Sequence, residues 1–208
     1  MDRKLPLLSF ATIIILCAGL ALMPPLPLPP ANAAETMPGA CPAAGTIITT
    51  SINDTLTSMG GDGLECSMKS SQKGAYKIFG LVTFVNSMNY TAAKDKIAKL
   101  WPLEVGKIVR FTAIQNKYEW VATYKVTERR DITVKAGTFP VYVVVYEEEQ
   151  ISSQTTPLHR GVYQSVWTFY ISTDLGYSVK MDYKSISGGP SALYPHTPWE
   201  AVSIERPK

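Results

Sequence analysis

Two histidines, His159 and His196, and three cysteines, Cys17, Cys41 and Cys66, are the whole imidazole and thiol chemistry of this 208-residue chain. His159 follows Pro157 in a polar stretch, and His196 stands between Pro195 and Thr197, so both read as exposed loop side chains. A Ser-His-Asp or Cys-His arrangement needs one of them beside a nucleophile. No Gly-x-Ser-x-Gly elbow exists to supply it. His-x-His, His-Glu-x-x-His and Cys-x-x-Cys are all missing, which removes the common zinc and dithiol spacings.

The acidic residues offer little more. Glu147-Glu148-Glu149 could face a cation, but neighbours on a strand point to opposite faces, so at most Glu147 and Glu149 converge. A solvated strand end is the expectation. Glu119, Glu128 and Asp131 are the remaining acid–base candidates, and nothing in the sequence sets two of them at a working separation. The Gly60-Gly61-Asp62-Gly63 loop lacks a following Lys-Ser/Thr and is no phosphate cradle. The expectation is therefore no metal, no cofactor and no enzymatic activity, with a hydrolase as a remote alternative.

Aromatic residues carry the one constructive signal. Tyr118, Trp120 and Tyr124 share one face of a strand by two-residue alternation, and so do Tyr163, Trp167 and Phe169. These six either fill a core or line the concave side of a curved sheet, where an apolar ligand would sit.

The cysteines depend on compartment, and the N-terminus sets it. Arg3 and Lys4 precede an uncharged apolar run, Leu5–Met23, then a proline-rich break, then Ala31-Asn32-Ala33-Ala34. Charged start, apolar middle and small-residue end make a secretory signal over residues 1–34, cut after Ala33 or Ala34. The alternative is a retained anchor, since the run is long enough to span a bilayer. Export puts Cys41 and Cys66 in an oxidising compartment, where an even pair is a disulfide. Closing the loop between positions 41 and 66 should stabilise by about 3 kcal/mol. Loss of Asp2, Arg3 and Lys4 lowers the net charge from +3 to +2, too little to imply nucleic acid or an anionic membrane.

The elements that must position these residues are mostly strands. Residues 35–74 read as an N-terminal irregular and β segment: a strand over Thr46–Asn53, a turn over Asp54–Ser58, the glycine loop, and a short strand over Leu64–Lys69. Residues 75–186 read as an antiparallel β domain, opening with a strand over Ala75–Phe84. Thr91–Trp101 predicts one short helix, with Ala93, Ile97, Leu100 and Trp101 on one face, Thr91 as N-cap and Pro102 as stop. Period-two strands follow over Ile108–Ile114, Tyr118–Val126, Ile132–Ala136, Val141–Tyr146, Tyr163–Ile171 and Tyr177–Tyr183. Gly137-Thr138 suits a hairpin connection. Residues 187–208 form a Pro/Gly-rich tail that reads as loop, laid over the sheet through Tyr194 and Trp199. The expected fold is mainly β, a curved antiparallel meander, half-barrel-like, with one short helix. That helix is too small to cover the sheet, which leaves a groove.

Trp101-Pro102-Leu103-Glu104-Val105-Gly106-Lys107, Val134-Lys135-Ala136-Gly137-Thr138-Phe139, and Trp167-Thr168-Phe169-Tyr170 leading to Gly176-Tyr177-Ser178-Val179-Lys180 occur in that order. The set resembles uncharacterised families of exported bacterial β-rich domains. The resemblance covers about residues 100–184 and implies the half-barrel sheet of periplasmic lipoprotein-handling proteins. It implies no catalytic residue. The reading is a periplasmic or secreted binding module that holds an apolar small molecule, a lipid or a segment of an envelope partner. The alternative is an interaction module using an exposed sheet edge. Membrane contact is expected only through an uncleaved signal.

Overall fold

Inward and outward side chains alternate along stretches of several strands, and the computed structural model shows what that alternation builds. The structure describes residues 41–84, 94–115, 118–153, 163–188 and 197–208. The signal segment with Ala33 and Ala34, both histidines, Thr91, Ala93 and Tyr194 lie outside them. Among the described residues no helix is long and apolar enough to cross a membrane.

Eleven strands are described: β1 (Ile47–Thr50), β2 (Thr55–Asp62), β3 (Glu65–Ser70), β4 (Gly74–Phe79), β5 (Thr83–Phe84), β6 (Ile108–Gln115), β7 (Tyr118–Val134), β8 (Gly137–Ser153), β9 (Gln164–Ser172), β10 (Tyr177–Ser187) and β11 (Trp199–Glu205). They form one open, curved, antiparallel sheet in the order β5-β4-β3-β2-β1-β11-β10-β9-β8-β7-β6. This is the expected fold class, with more strands than alternation alone showed. The helix, α1, covers residues 94–98. Ile97 and Leu100 are buried beside it, Trp101 is half-buried, and Lys94, Lys96 and Lys99 face out.

The inner face is held by a ladder of rings. Tyr124 on β7 is the register partner of Tyr146 on β8, Tyr146 of Trp167 on β9, and Trp167 of Tyr183 on β10. Their centroids are 4.5, 5.1 and 5.0 Å apart in turn, and Phe111 on β6 stacks on Tyr124 at 6.3 Å. Facing cross-strand positions bring the rings together, and offset stacking adds to the area each buries.

Several local expectations need correction. The segments Tyr118–Val126 and Ile132–Ala136 are one strand, β7, with a bulge between Val126 and Glu128. Glu128-Arg129-Arg130-Asp131 has no apolar alternation, yet main-chain pairing with β8 continues through it. The turn between β7 and β8 is Lys135–Ala136, since Val134 pairs with Gly137. The glutamate triplet is not a solvated strand end: β8 runs on to Ser153, and Glu148 points inward with Tyr146 and Gln150 while Glu147 is exposed. Glu148 accepts a hydrogen bond of 2.5 Å from the Tyr146 hydroxyl, which gives the buried carboxyl group a polar partner.

In the N-terminal half, β2 takes in Thr55–Ser58 of the expected turn and most of the glycine loop. Ala75–Phe84 breaks into β4 and β5 at the turn around Gly80. The tail supplies β11, which is a seam rather than a loop. Its first residues pair with β10 (Trp199 with Met181, Glu200 with Lys180) and the rest with β1 (Ala201 with Thr50, Ile204 with Ile48). The β7–β8 turn reaches the same strand, as Ala136 N–H donates to the Ala201 carbonyl at 3.1 Å.

Cys41 and Cys66 are bonded, with Cα atoms 5.4 Å apart. Two glycines make room for this bridge. A Cβ on Gly61 would stand 2.4 Å from Cys41 Sγ and 2.3 Å from the Glu65 carbonyl oxygen. Gly176, at φ +70°, lets the β9–β10 turn lie against the Cys41–Pro42 backbone, where a Cβ would come within 2.9 Å of Cys41 C.

Candidate functional site

Where the two halves of the sheet curve toward each other, they leave a cavity of about 90 Å³. Leu56 and Ile78 approach it from β2 and β4, and Leu81 and Val82 from the turn after β4. Opposite stand Trp167 and Phe169 on β9 and Met181 on β10, with Trp199 of β11 at the seam. These side chains meet there because inward positions on a bent sheet converge.

One end of the cavity is polar. Asp54 is buried before β2, and its carboxylate accepts from the Ser70 hydroxyl at 2.8 Å, the Ser71 hydroxyl at 3.0 Å and Gln72 N–H at 3.3 Å. This clasps the β3–β4 turn onto the β1–β2 turn. Tyr76 and Tyr177 share a hydroxyl–hydroxyl hydrogen bond of 3.1 Å across the gap between β4 and β10. Lys73 is exposed beside the same space. Ser178 also lines the cavity; it is only 4% exposed, and among the described residues its Oγ has no hydrogen-bond partner.

Burial pushes the Tyr177 phenol well above its usual range, with the neighbouring Tyr76, the hydrogen bond between them and the Asp54 charge adding to it. Burial also raises Tyr76, partly offset by the hydrogen bond from Tyr177, and Asp54 raises it further. Both phenols are thus held neutral in the fold. The unfolded phenols ionise near pH 10 while the folded ones keep their protons, so stability is complete below about pH 10 and falls above it. The slope is up to about 1.4 kcal/mol per pH unit for each tyrosine. Urea midpoints measured against pH should show this decline, and Tyr177→Phe should flatten it. An unchanged slope in that variant would refute the coupling.

The six sequence-predicted site residues separate. Trp167 and Phe169 line the cavity. Tyr124 lies deep in the ring ladder, and Trp120 is half-buried against the core. Tyr118, which opens β7, and Tyr163, just before β9, are 41% and 42% exposed, and neither lines the cavity. Sequence reasoning missed Asp54, Tyr76, Ser178, Met181 and Trp199 as one site. Tyr177 and Met181 already shared a face by alternation, but no periodicity reports that β10 lies across from β4. Of the acid–base candidates, Glu128 is engaged by Arg130 at 3.2 Å, Asp131 is exposed and Glu119 is half-buried. Among the described residues no three His, Cys, Asp or Glu side chains cluster to hold a metal ion.

No family model matches the chain, and no curated protein matches its sequence. Two of the solved structures similar to it follow. One is the hypothetical lipoprotein YmcC from Escherichia coli K12, at 9% identity and a TM-score of 0.43, covering 78% of this chain and 83% of its own. The other is a proposed lipoprotein from Parabacteroides distasonis, at 8% identity and a TM-score of 0.42, covering 80% of this chain and 98% of its own.

Proposed function

We propose that this protein is an exported, non-enzymatic binding module that receives an apolar group in the cavity between the two halves of its sheet. The single observation behind this is a cavity of about 90 Å³ walled by Leu56, Ile78, Phe169, Met181 and two tryptophans. Its size narrows the ligand. Sites for whole drug-sized molecules run to about 300 Å³ or more, and an enclosed apolar cavity of about 150 Å³ takes benzene. The occupant is therefore one short group: the end of an acyl chain, a small apolar molecule or one side chain of a partner segment. The Cys41–Cys66 bridge and the N-terminal signal support export to the periplasm or beyond.

Bromobutane tests this, because bromine in contact with an indole quenches its fluorescence. Saturable quenching is expected, part of it lost in Trp199→Phe. Purely collisional quenching, equal in both proteins, would sink the reading.

A second reading rests on β6. It is the last strand of the sheet, eight residues long, with Ile108 and Ile114 exposed at 59% and 64%. Such an edge suits pairing with a strand of an envelope partner. A stable complex that Ile114→Lys abolishes, in a protein that leaves bromobutane unbound, would favour it.

A further inference from the structure

Most of the cavity wall is apolar, and of the polar groups at its one polar end Ser178 defines the ligand further. A hydroxyl both buried and unpartnered costs free energy that a structure rarely tolerates without a use for it. Ser178 Oγ meets this description and borders the cavity. Among the described residues the charges around the same space are one carboxylate, Asp54, and one ammonium, Lys73. Asp54 already accepts from Ser70, Ser71 and Gln72, so it makes no demand for a cation. It would still repel an anion brought into low dielectric beside it. The two tyrosine hydroxyls are bonded to each other.

From these facts, and resting on the binding reading above, we infer that the occupant is a neutral aliphatic group bearing one hydroxyl, which exchanges a hydrogen bond with Ser178 Oγ while its chain lies against Phe169 and Met181. A hydroxyl both donates and accepts, as Ser178 does, so either can orient to suit the other. A carboxylate would lie beside the like charge of Asp54 with only the solvent-exposed Lys73 to offset it, and an ammonium would find the Asp54 oxygens already engaged by Ser70, Ser71 and Gln72.

Brominated four-carbon probes of equal length separate the possibilities: bromobutane, bromobutanol, bromobutyrate and bromobutylammonium, each read by tryptophan quenching. Bromobutanol should bind at least tenfold more tightly than bromobutyrate or bromobutylammonium. Ser178→Ala should weaken bromobutanol about fivefold to tenfold, the worth of one buried hydrogen bond. The same variant should leave bromobutane unchanged or tighter, which also shows that the cavity is intact. Tighter binding of either charged probe than of bromobutanol overturns the neutral hydroxyl assignment, as does equal bromobutanol affinity in Ser178→Ala. In both cases bromobutane binding would stand and keep the broader reading. Failure of bromobutane as well would remove that reading itself.

Discussion

Trp167→Ala should lower folding stability by about 3–5 kcal/mol, the range for emptying a fully buried aromatic site. Trp167 has no solvent exposure and is stacked on Tyr146 at 5.1 Å and tilted against Tyr183 at 5.0 Å. Removing it breaks the ladder at β9 and merges the space left with the existing cavity, so the site cannot collapse cheaply. Since domains hold only about 5–15 kcal/mol in total, much of the fold is at stake. Urea unfolding gives the number, and Trp167→Phe should fall between. A loss below about 1 kcal/mol for the alanine variant would mean that the ladder is not the centre of the core.

Removal of the disulfide is the other large effect. The Cys41→Ala, Cys66→Ala double variant should be less stable by about 3 kcal/mol, the entropy of the loop its bond closes. The bridge also fixes Cys41–Pro42 where the β9–β10 turn packs, with Gly176 in direct contact. Pro42 in turn accepts a hydrogen bond of 2.8 Å from Ser58 of β2. One short segment therefore ties the N-terminal strands to the C-terminal ones, and freeing it should weaken bromobutane binding along with stability. Unchanged affinity and a shift under about 1 kcal/mol would contradict that tie. Gly61→Ala offers an independent check, because its Cβ would collide with Cys41 Sγ and the Glu65 carbonyl. It should destabilise even with both cysteines present.

How much of this was readable depended on which forces wrote it. Two-residue alternation is a direct imprint of burial, so most of β6, β9 and β10 is plain in Ile108–Ile114, Tyr163–Ile171 and Tyr177–Tyr183. The cysteine pairing followed from compartment chemistry. Glu148 misled because a carboxylate is assumed to face water, although its parity with Val144 and Tyr146 pointed inward. The β7 segment from Glu128 to Asp131 is held by main-chain pairing to β8, which side-chain pattern does not report. β11 was hidden among four prolines and two glycines of the tail, where turn signals outweigh the brief alternation of Trp199, Ala201 and Ser203. The cavity was the least legible feature. It joins Asp54, Tyr76, Tyr177, Ser178 and Trp199 across strands far apart in sequence, and only the order of the sheet brings them together. The six aromatics expected to form a site were sorted by position along their strands, so only Trp167 and Phe169 reached it.

A crystal soaked with bromobutanol would put the binding claim to its most direct trial, because bromine is located by its own anomalous scattering. One bromine enclosed by Phe169, Met181 and Trp199, with the probe oxygen within hydrogen-bonding distance of Ser178 Oγ, is the expected result. Bromine found only on the outer surface, with the interior space empty at saturating probe, would contradict it.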